Sequence, residues 1–469
     1  MAWWSRGEQP KRLINVGLDF GTSSSKVIWR DVTGDRLTLL GFDNGASGYP
    51  PICMPSSVKI AGDSIFFGSD AEQNRELGWL VRSLKVCVAC GAKAVSCRDC
   101  QPAGPQKRPG EFVVTPNGSQ PLNADELAAL LVGYTMGIAK QRIEASFRQA
   151  RGADLTWNMS APLDQYEFGK LRMSFERLAY QGSLVAGDVR SGMHLTDAVE
   201  LVRDNARRLM PSREDLPVSI VPEAIAAVHA YCQSPAAAHG LYALIDVGAG
   251  TTTVSFFRYH DASSKTITCY SSCTDAVGAD DVDRAIFTAL TRNHHELAVM
   301  KVSDQATVLH ELRAAKENLS SDLRLTAGYR LSRSEVLEAI HPLASRIFDV
   351  YVQAFGKAYA KDMRSSQWES LTCMLVGGGV LVPGITDALR RAPHSMVTDR
   401  KVQALGITEG IRIDGGPSRL SQRDSSLLTV AFGLSHPRVD IPEYWETKEV
   451  EPVRPSRVTT RIYDDWRNG

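Results

Sequence analysis

The sequence predicts an α/β chain folded as two halves around one cleft. Two observations carry that expectation. The stretch INVGLDFGTSSSKVIWRDV (14–32) runs an apolar strand into Asp19, one further residue, a glycine and small hydroxyl residues, then into a second strand. Far downstream, LYALIDVGAGTTTVSFFRY (241–259) repeats the device around Asp246. Each copy reads as a β-hairpin with a Gly and Ser/Thr loop. The repetition divides the chain into two α/β halves, and a cleft between them is the natural seat of a shared ligand.

The loop chemistry indicates what that ligand is. Glycine lets the backbone turn tightly and leaves successive N–H groups facing outward. Such amides form a concave anion site suited to phosphate oxygens. The Asp ending each first strand, Asp19 and Asp246, is placed to hold a hydrated Mg²⁺, a hard cation that keeps most of its waters. One such loop alone reads more readily as an ordinary hairpin with an acidic shoulder; two copies weigh strongly against that reading.

The composition is that of a globular protein. The chain has 469 residues, 43% hydrophobic and 23% charged, with 53 basic and 53 acidic side chains. Zero formal charge gives no electrostatic footprint for nucleic acid or an anionic membrane. The start, MAWWSRGEQPKR, lacks the apolar core of a signal peptide, and no segment approaches a membrane span. A cytoplasmic protein is expected.

The elements follow in order. Residues 1–12 form a polar lead. Residues 13–60 alternate as strands broken by Gly, Pro and Asp. Around 87–121 four Cys and the Pro/Gly-rich QPAGPQKRPGEF indicate an inserted loop outside the core. Cys87, Cys90, Cys97 and Cys100 read C-x2-C-x6-C-x2-C. Two such pairs on tight turns would complete a tetrahedral S4 shell for a structural Zn²⁺; the six-residue spacing leaves a redox-active or incidental cluster as the alternative. From Asn123 a capped helix begins, with Glu126 completing a capping box and Leu127, Leu130, Leu131, Tyr134 and Ile138 as its stripe. DLTWNMSAP is a strand. VPEAIAAVHAYC (221–232) is a short apolar helix opened by Pro222 and Glu223. Helices dominate 279–363, LTCMLVGGGVLVPGITDALRR (371–391) is strand, Gly-rich turn and helix, and SSLLTVAFGLS (425–435) is a closing helix. The expected organisation is a flexible 1–12, a first lobe 13–238 carrying the Cys-rich insertion 87–121, a second lobe 239–435 whose last helix returns to the first, and an extended tail 436–469.

These motifs together resemble the nucleotide-binding fold shared by Hsp70 chaperones, actin and sugar kinases. GLDFGTSSS is similar to the first phosphate loop, LIDVGAGTTT to the second, VPEAIAAVHAY to the connecting helix and CMLVGGGVLVPGI to the adenosine loop. MPSSV (54–58), AVGADDVDRAI (276–286) and LRAAKENLSS (312–321) resemble Hsp70 segments in particular, and RSLKV (82–86) sits where Hsp70 carries a catalytic lysine. The resemblance covers roughly 13–435. It implies a two-lobed actin/Hsp70-type fold, a duplicated RNase H-like architecture.

It also implies a site. Backbone amides of Gly21, Thr22, Ser23 and Ser24, and of Gly248, Ala249, Gly250 and Thr251, would hold the β- and γ-phosphates of ATP or ADP. Asp19 and Asp246 would bind Mg²⁺ through its waters. Lys85 would orient the attacking water or neutralise charge on the γ-phosphate. Glu223 would act near the hinge as a water-positioning group or weak base. Lys316 and Ser320 would contact the ribose, and Gly377, Gly378 and Gly379 would lie against the nucleoside. Taken alone, Lys85 reads as a surface lysine and Glu223 as a helix N-terminal acid favoured by the macrodipole.

Three departures qualify the resemblance. Thr253 stands where the second loop usually carries an acid, so hydrolysis is expected to be slow or lost while binding survives. The two arginines that stack on adenine in Hsp70 fall at Glu317 and Leu381. The residues after 435 are too few for the peptide-binding domain of a full Hsp70. The expected function is a nucleotide-driven switch that a client or partner reads through the zinc loop, a lobe surface or the tail, without nucleic acid or membrane. The alternatives are an actin-like filament-forming ATPase, modestly favoured by the triple-Gly loop, and a small-molecule kinase, for which no motif supplies the catalytic Asp.

Overall fold

The computed structural model describes residues 11–44, 49–91, 113–114, 122–147, 153–162, 168–233, 237–259, 266–300, 308–309, 311–313, 315–316, 321–326, 328–362, 366–407, 411–414, 420–441 and 443–446. Two mixed sheets dominate it. The first runs Val218–Pro222, Ala153–Ala161, Arg12–Asp19, Ser24–Asp31, Arg36–Leu40 and Arg412–Asp414, with Met54–Pro55 added on Ser24–Asp31. The second runs Asp399–Ala404, Ser370–Val376, Gly240–Val247, Thr252–Tyr259, Thr266–Asp275 and Glu443–Glu446. In both, a hairpin and a third antiparallel strand form one side, and two parallel strands join beside the hairpin's first strand. A further parallel strand closes the far edge of each.

The first hairpin strands are almost fully buried, as Ile14, Val16, Leu18, Val27 and Trp29 show. Near-continuous apolar strands are what parallel neighbours and helical cover demand. The helix Ala124–Ser146 begins at the expected Asn123 cap, whose side chain accepts from Glu126 N–H at 2.8 Å while the Glu126 carboxylate accepts from Asn123 N–H at 2.9 Å. Its Leu127, Leu130 and Leu131 are fully buried in the core beneath the first sheet.

Two short helices join the sheets. Glu223–Cys232 packs Ala226, Ala227 and Val228 in one apolar cluster with Tyr242, Leu244 and Met374 of the second sheet and with Val430 and Leu434. Thr429–Leu434 turns its other face, Ala431 and Phe432, to Ile28 and Leu39 of the first sheet. The buried Asn158 amide donates to the carbonyls of Leu434 at 2.8 Å and His436 at 2.9 Å, capping the end of this closing helix. Asn158→Leu keeps the volume and orphans both carbonyls, so it is expected to cost about 2–4 kcal/mol. A thermal-shift measurement checks this; an unchanged melting temperature would show that water replaces the amide.

The structure corrects the sequence reading at 87–121. Leu84–Gly91 is a helix, and Cys87 and Cys90 are only 1% and 4% exposed within the core. Flanked by Leu84, Val86, Val88 and Ala89, these thiols behave as small apolar side chains. They lie on this helix rather than on the expected tight turn. Cys97 and Cys100 lie outside the described residues. Among the described residues no group of three or more His, Cys, Asp or Glu is arranged to hold a metal ion. Within the segment expected as a tail, Glu443–Glu446 adds a parallel strand beside Thr266–Asp275. No helix among the described residues is long and apolar enough to cross a membrane.

Candidate functional site

The two hairpin loops face one another across a cleft of about 500 Å³. That volume falls within the range of small-molecule sites. Asp19, Gly21, Thr22, Ser23 and Ser24 line it from one side, and Asp246, Gly248, Ala249 and Thr251 from the other. Lys85, Glu223, Lys316, Gly377 and Gly378 complete the set of sequence-predicted residues on its wall. A Cβ on Gly250 would lie 2.9 Å from Thr22 and 3.3 Å from Val86, so the loops and the Lys85 helix meet there. Gly379 is buried against Val247 behind the wall. Ser320 lies outside the described residues.

Strand register sets the chemistry at each aspartate. Asp19 pairs across its hairpin with Lys26, and Asp246 pairs across its own with Thr253. The Lys26 ammonium donates to Asp19 Oδ2 at 3.2 Å and to the Ser24 carbonyl at 3.1 Å, while Ser160 donates to Asp19 Oδ1 at 3.1 Å. Thr253 instead shares a hydrogen bond of 3.0 Å with Thr274. Burial therefore pushes the Asp246 carboxyl up to about 6, against the pull of Lys85 and with the push of Asp19. A buried carboxylate without a cross-strand cation is costly until a cation arrives.

Lys85 enters through the short helix Leu84–Gly91, which starts after Ser83 in the left-handed region at φ 59°. Its ammonium pairs with the Glu223 carboxylate, at the first position of the joining helix. Burial lowers Lys85 to about 8, opposed by the carboxylates of Asp19 and Asp246. Gly377, at φ 85°, brings its loop so close that a Cβ would sit 2.5 Å from Asp246 Oδ1; only glycine fits there.

The loop amides are not all open. Gly248 N–H donates to the Thr251 carbonyl at 2.9 Å. The Gly248 and Ala249 carbonyls accept from the first amides of the helix Ala279–Asn293, at 2.9 and 2.8 Å. The second loop is thereby pinned to that helix. Lys316 lines the cleft, but its ammonium faces Asp283 at 2.6 Å and the Ala279 carbonyl at 3.0 Å.

No protein-family model matches the chain. Among curated proteins it is similar to the "Chaperone protein HscA homolog" of Shewanella woodyi, 25% identical over 178 residues, 36% of this chain and 28% of that protein. The protein of that name from Shewanella loihica is 26% identical over the same length, and that from Burkholderia mallei is 27% identical over 161 residues, covering 33% of this chain and 25% of that protein. These low-identity matches support placement in the Hsp70 and actin ATPase superfamily. The matched region spans about a quarter of the length of these curated relatives.

Several cleft residues escaped the sequence reading. Lys26, Tyr49, Asp280, Asp283, Arg313 and Arg423 all line the wall. Hairpin register alone would have put Lys26 opposite Asp19, and Arg313 stands three positions before Lys316 on one helical face. Tyr49 carries no local signal.

Proposed function

We propose that the chain is an Hsp70-type switch that binds ATP with Mg²⁺ between two lobes and signals its nucleotide state to a protein partner. The observation that carries this reading is the convergence of two Gly and Ser/Thr hairpin loops, each with its aspartate, on one cleft that also holds a buried lysine. The common strand order of the two sheets supports the duplicated, two-lobed architecture.

In this reading the amides from Gly21 to Ser24 and from Ala249 to Thr251 hold the β- and γ-phosphates, while the Gly248 amide keeps the second turn closed. Lys26 and Lys85 bring two ammonium groups to the phosphate end. Glu223 holds Lys85 in place until the phosphate oxygens compete for it. The residues fit a magnesium ion: Asp246 offers a buried carboxylate with no cation opposite it in register, and Asp19 lies on the facing loop. When bound, Mg²⁺ supplies a hydrated divalent charge against the phosphate oxygens. Asp246 would hold that ion through its waters, and Lys316 and the Gly377–Gly378 turn would border the nucleoside. Thr253 cannot accept a proton as a carboxylate would, so turnover is slow.

Titration calorimetry with Mg·ATP tests the reading. Wild type is expected to bind with micromolar affinity or better. Lys85→Met is expected to fold and bind but to lose at least about 100-fold in single-turnover hydrolysis, the usual loss on removing one electrostatic stabiliser. A wild type that binds neither ATP nor ADP would sink the proposal.

A further inference from the structure

The two aspartates of the cleft stand in unequal surroundings. Asp19 already has a cation: the Lys26 ammonium, directly across the hairpin, lies 3.2 Å from its Oδ2, and the two side chains are only 12% and 8% exposed. Ser160 donates to the other oxygen at 3.1 Å and is itself held by the Phe20 amide at 3.2 Å. Asp246, on the facing loop, has Thr253 across its hairpin instead. We propose that Lys26 is the built-in cation of the first loop, so that the chain holds ADP without a divalent ion and needs Mg²⁺ only for a triphosphate. The inference rests on the nucleotide-switch reading and narrows it, since it takes Asp19 out of the metal site and leaves Asp246 as the metal's carboxylate.

The geometry closes Asp19 to a metal. A divalent ion held through its waters needs accessible carboxylate oxygens and room for the water shell. One Asp19 oxygen is taken up by an ammonium and the other by a hydroxyl, and the residue is 5% exposed. The space around the ammonium is equally full. A Cβ on Gly21 would lie 3.3 Å from Lys26 Nζ and 2.2 Å from the Ser24 carbonyl oxygen, so the loop is folded onto the lysine. An ammonium carries three N–H donors. Asp19 takes one and the Ser24 carbonyl, at 3.1 Å, a second. Lys26 also lines the cleft, which leaves its third donor for a phosphate oxygen. Lys85 differs, because its ammonium is turned to Glu223 on the joining helix. Lys26 is anchored inside the loop that carries the phosphate amides, and it reaches Asp246 only through its field.

Charge then divides ADP from ATP. Lys26 and Asp19 form a neutral pair that stays the same when a metal leaves, so the first loop keeps its amides and its ammonium for a diphosphate. A third phosphate adds negative charge to a cleft that the Asp246 carboxylate also lines, and like charges in a buried cleft repel strongly. A cation at Asp246 removes that repulsion. Lys26→Met deletes the first loop's cation and keeps most of the stem, whereas Lys26→Arg keeps the charge.

Titration calorimetry of the full chain with ADP and with ATP, each in excess Mg²⁺ and in EDTA, tests the assignment. In wild type, removing the metal is expected to weaken ADP less than about fivefold and ATP at least about 100-fold, the scale of a like-charge contact left uncompensated. Lys26→Arg is expected to keep that pattern. Lys26→Met is expected to bind ADP within about tenfold of wild type in Mg²⁺, where an ion can approach Asp19, and at least about 30-fold more weakly in EDTA, the scale of a lost charge-assisted hydrogen bond. The double variant Asp19→Asn with Lys26→Met leaves no uncompensated carboxylate on the first loop, so it is expected to fold even where Lys26→Met does not. Its ADP affinity is expected to be low and equal with and without Mg²⁺. Wild-type ADP affinity that collapses in EDTA, Lys26→Met with the wild-type pattern, or a double variant that binds ADP in EDTA as wild type does would overturn the proposal. A wild type that binds neither nucleotide in Mg²⁺ ends the switch reading instead, and the assignment is then read from melting curves of the nucleotide-free protein in rising MgCl₂. A larger upward shift in Lys26→Met than in wild type supports it; equal shifts refute it.

Discussion

Replacing Asp246 with asparagine is expected to weaken Mg·ATP binding by at least about 100-fold, the scale of losing one buried charged contact, and at the same time to stabilise the nucleotide-free protein. The two effects share one cause. Burial raises the Asp246 carboxyl from its ordinary value of 3.8 to about 6. A carboxyl whose folded pKa lies above its unfolded value binds more protons in the folded state between those two values. Its contribution to stability is therefore fully present below pH 4 and is lost as pH rises through about 6. At neutral pH keeping the buried carboxylate charged, despite the pull of Lys85 and Lys26, costs on the order of 2–3 kcal/mol, which the isosteric amide avoids. The melting temperature of Asp246→Asn should thus match wild type near pH 4, exceed it increasingly up to pH 7, and run parallel above that. Wild-type affinity for Mg·ATP should rise over the same interval, because the ionised carboxylate is the form that attracts the cation. Differential scanning fluorimetry across pH 4–8, with calorimetry at pH 7, checks both arms. A pH-independent gap, or binding unaffected by the substitution, would show that the carboxylate is not the cation's partner. Gain of stability with loss of binding is the pattern of a functional site held against the preference of the fold.

How much of this was legible in the sequence depends on the range of the interaction. The hairpins were legible because Asp, Gly and Ser/Thr act within a few residues of one another, and the Asn123 cap for the same reason. The shared cleft followed from repetition of the motif. Lys85 and Glu223 were legible only through resemblance, since their pairing joins segments 138 residues apart. The Tyr49–Arg313 contact spans 264 residues and left no local trace. The start of the 87–121 segment was misread as loop for a different reason. The pair Cys87 and Cys90 looks like a metal motif in spacing, but its neighbours Leu84, Val86, Val88 and Ala89 make a helix that buries both thiols. Spacing described the ligand geometry, and the apolar flanks decided the packing.

Placing an acid at Thr253 is expected to reverse the sign of the site's dependence on cation. Thr253 and Asp246 are directly opposed across the second hairpin, so their side chains share one face with Cβ atoms about 5 Å apart. Thr253→Asp sets two carboxylates side by side in a buried cleft. Without a cation they repel, push Asp246 further up and cost about 1–3 kcal/mol; loss of the Thr274 hydrogen bond adds about 1 kcal/mol. With Mg·ATP the second carboxylate gains a partner and can hold or accept a proton from water beside the γ-phosphate, the role a hydroxyl cannot fill. The variant should therefore melt below wild type when empty, gain more than wild type from Mg·ATP, and release phosphate at least about 10-fold faster, within the usual contribution of one proton-accepting group. Thr253→Asn separates shape from charge, since it too loses the threonine hydroxyl but adds no anion, and it should show neither the extra stabilisation nor the faster turnover. Steady-state phosphate release, together with melting curves with and without Mg·ATP, reads every arm. Equal stabilisation by Mg·ATP in wild type, Thr253→Asp and Thr253→Asn, with no rise in turnover, would mean that the cation and the reacting phosphate lie away from this strand pair, and that Asp246 is buried for some other reason.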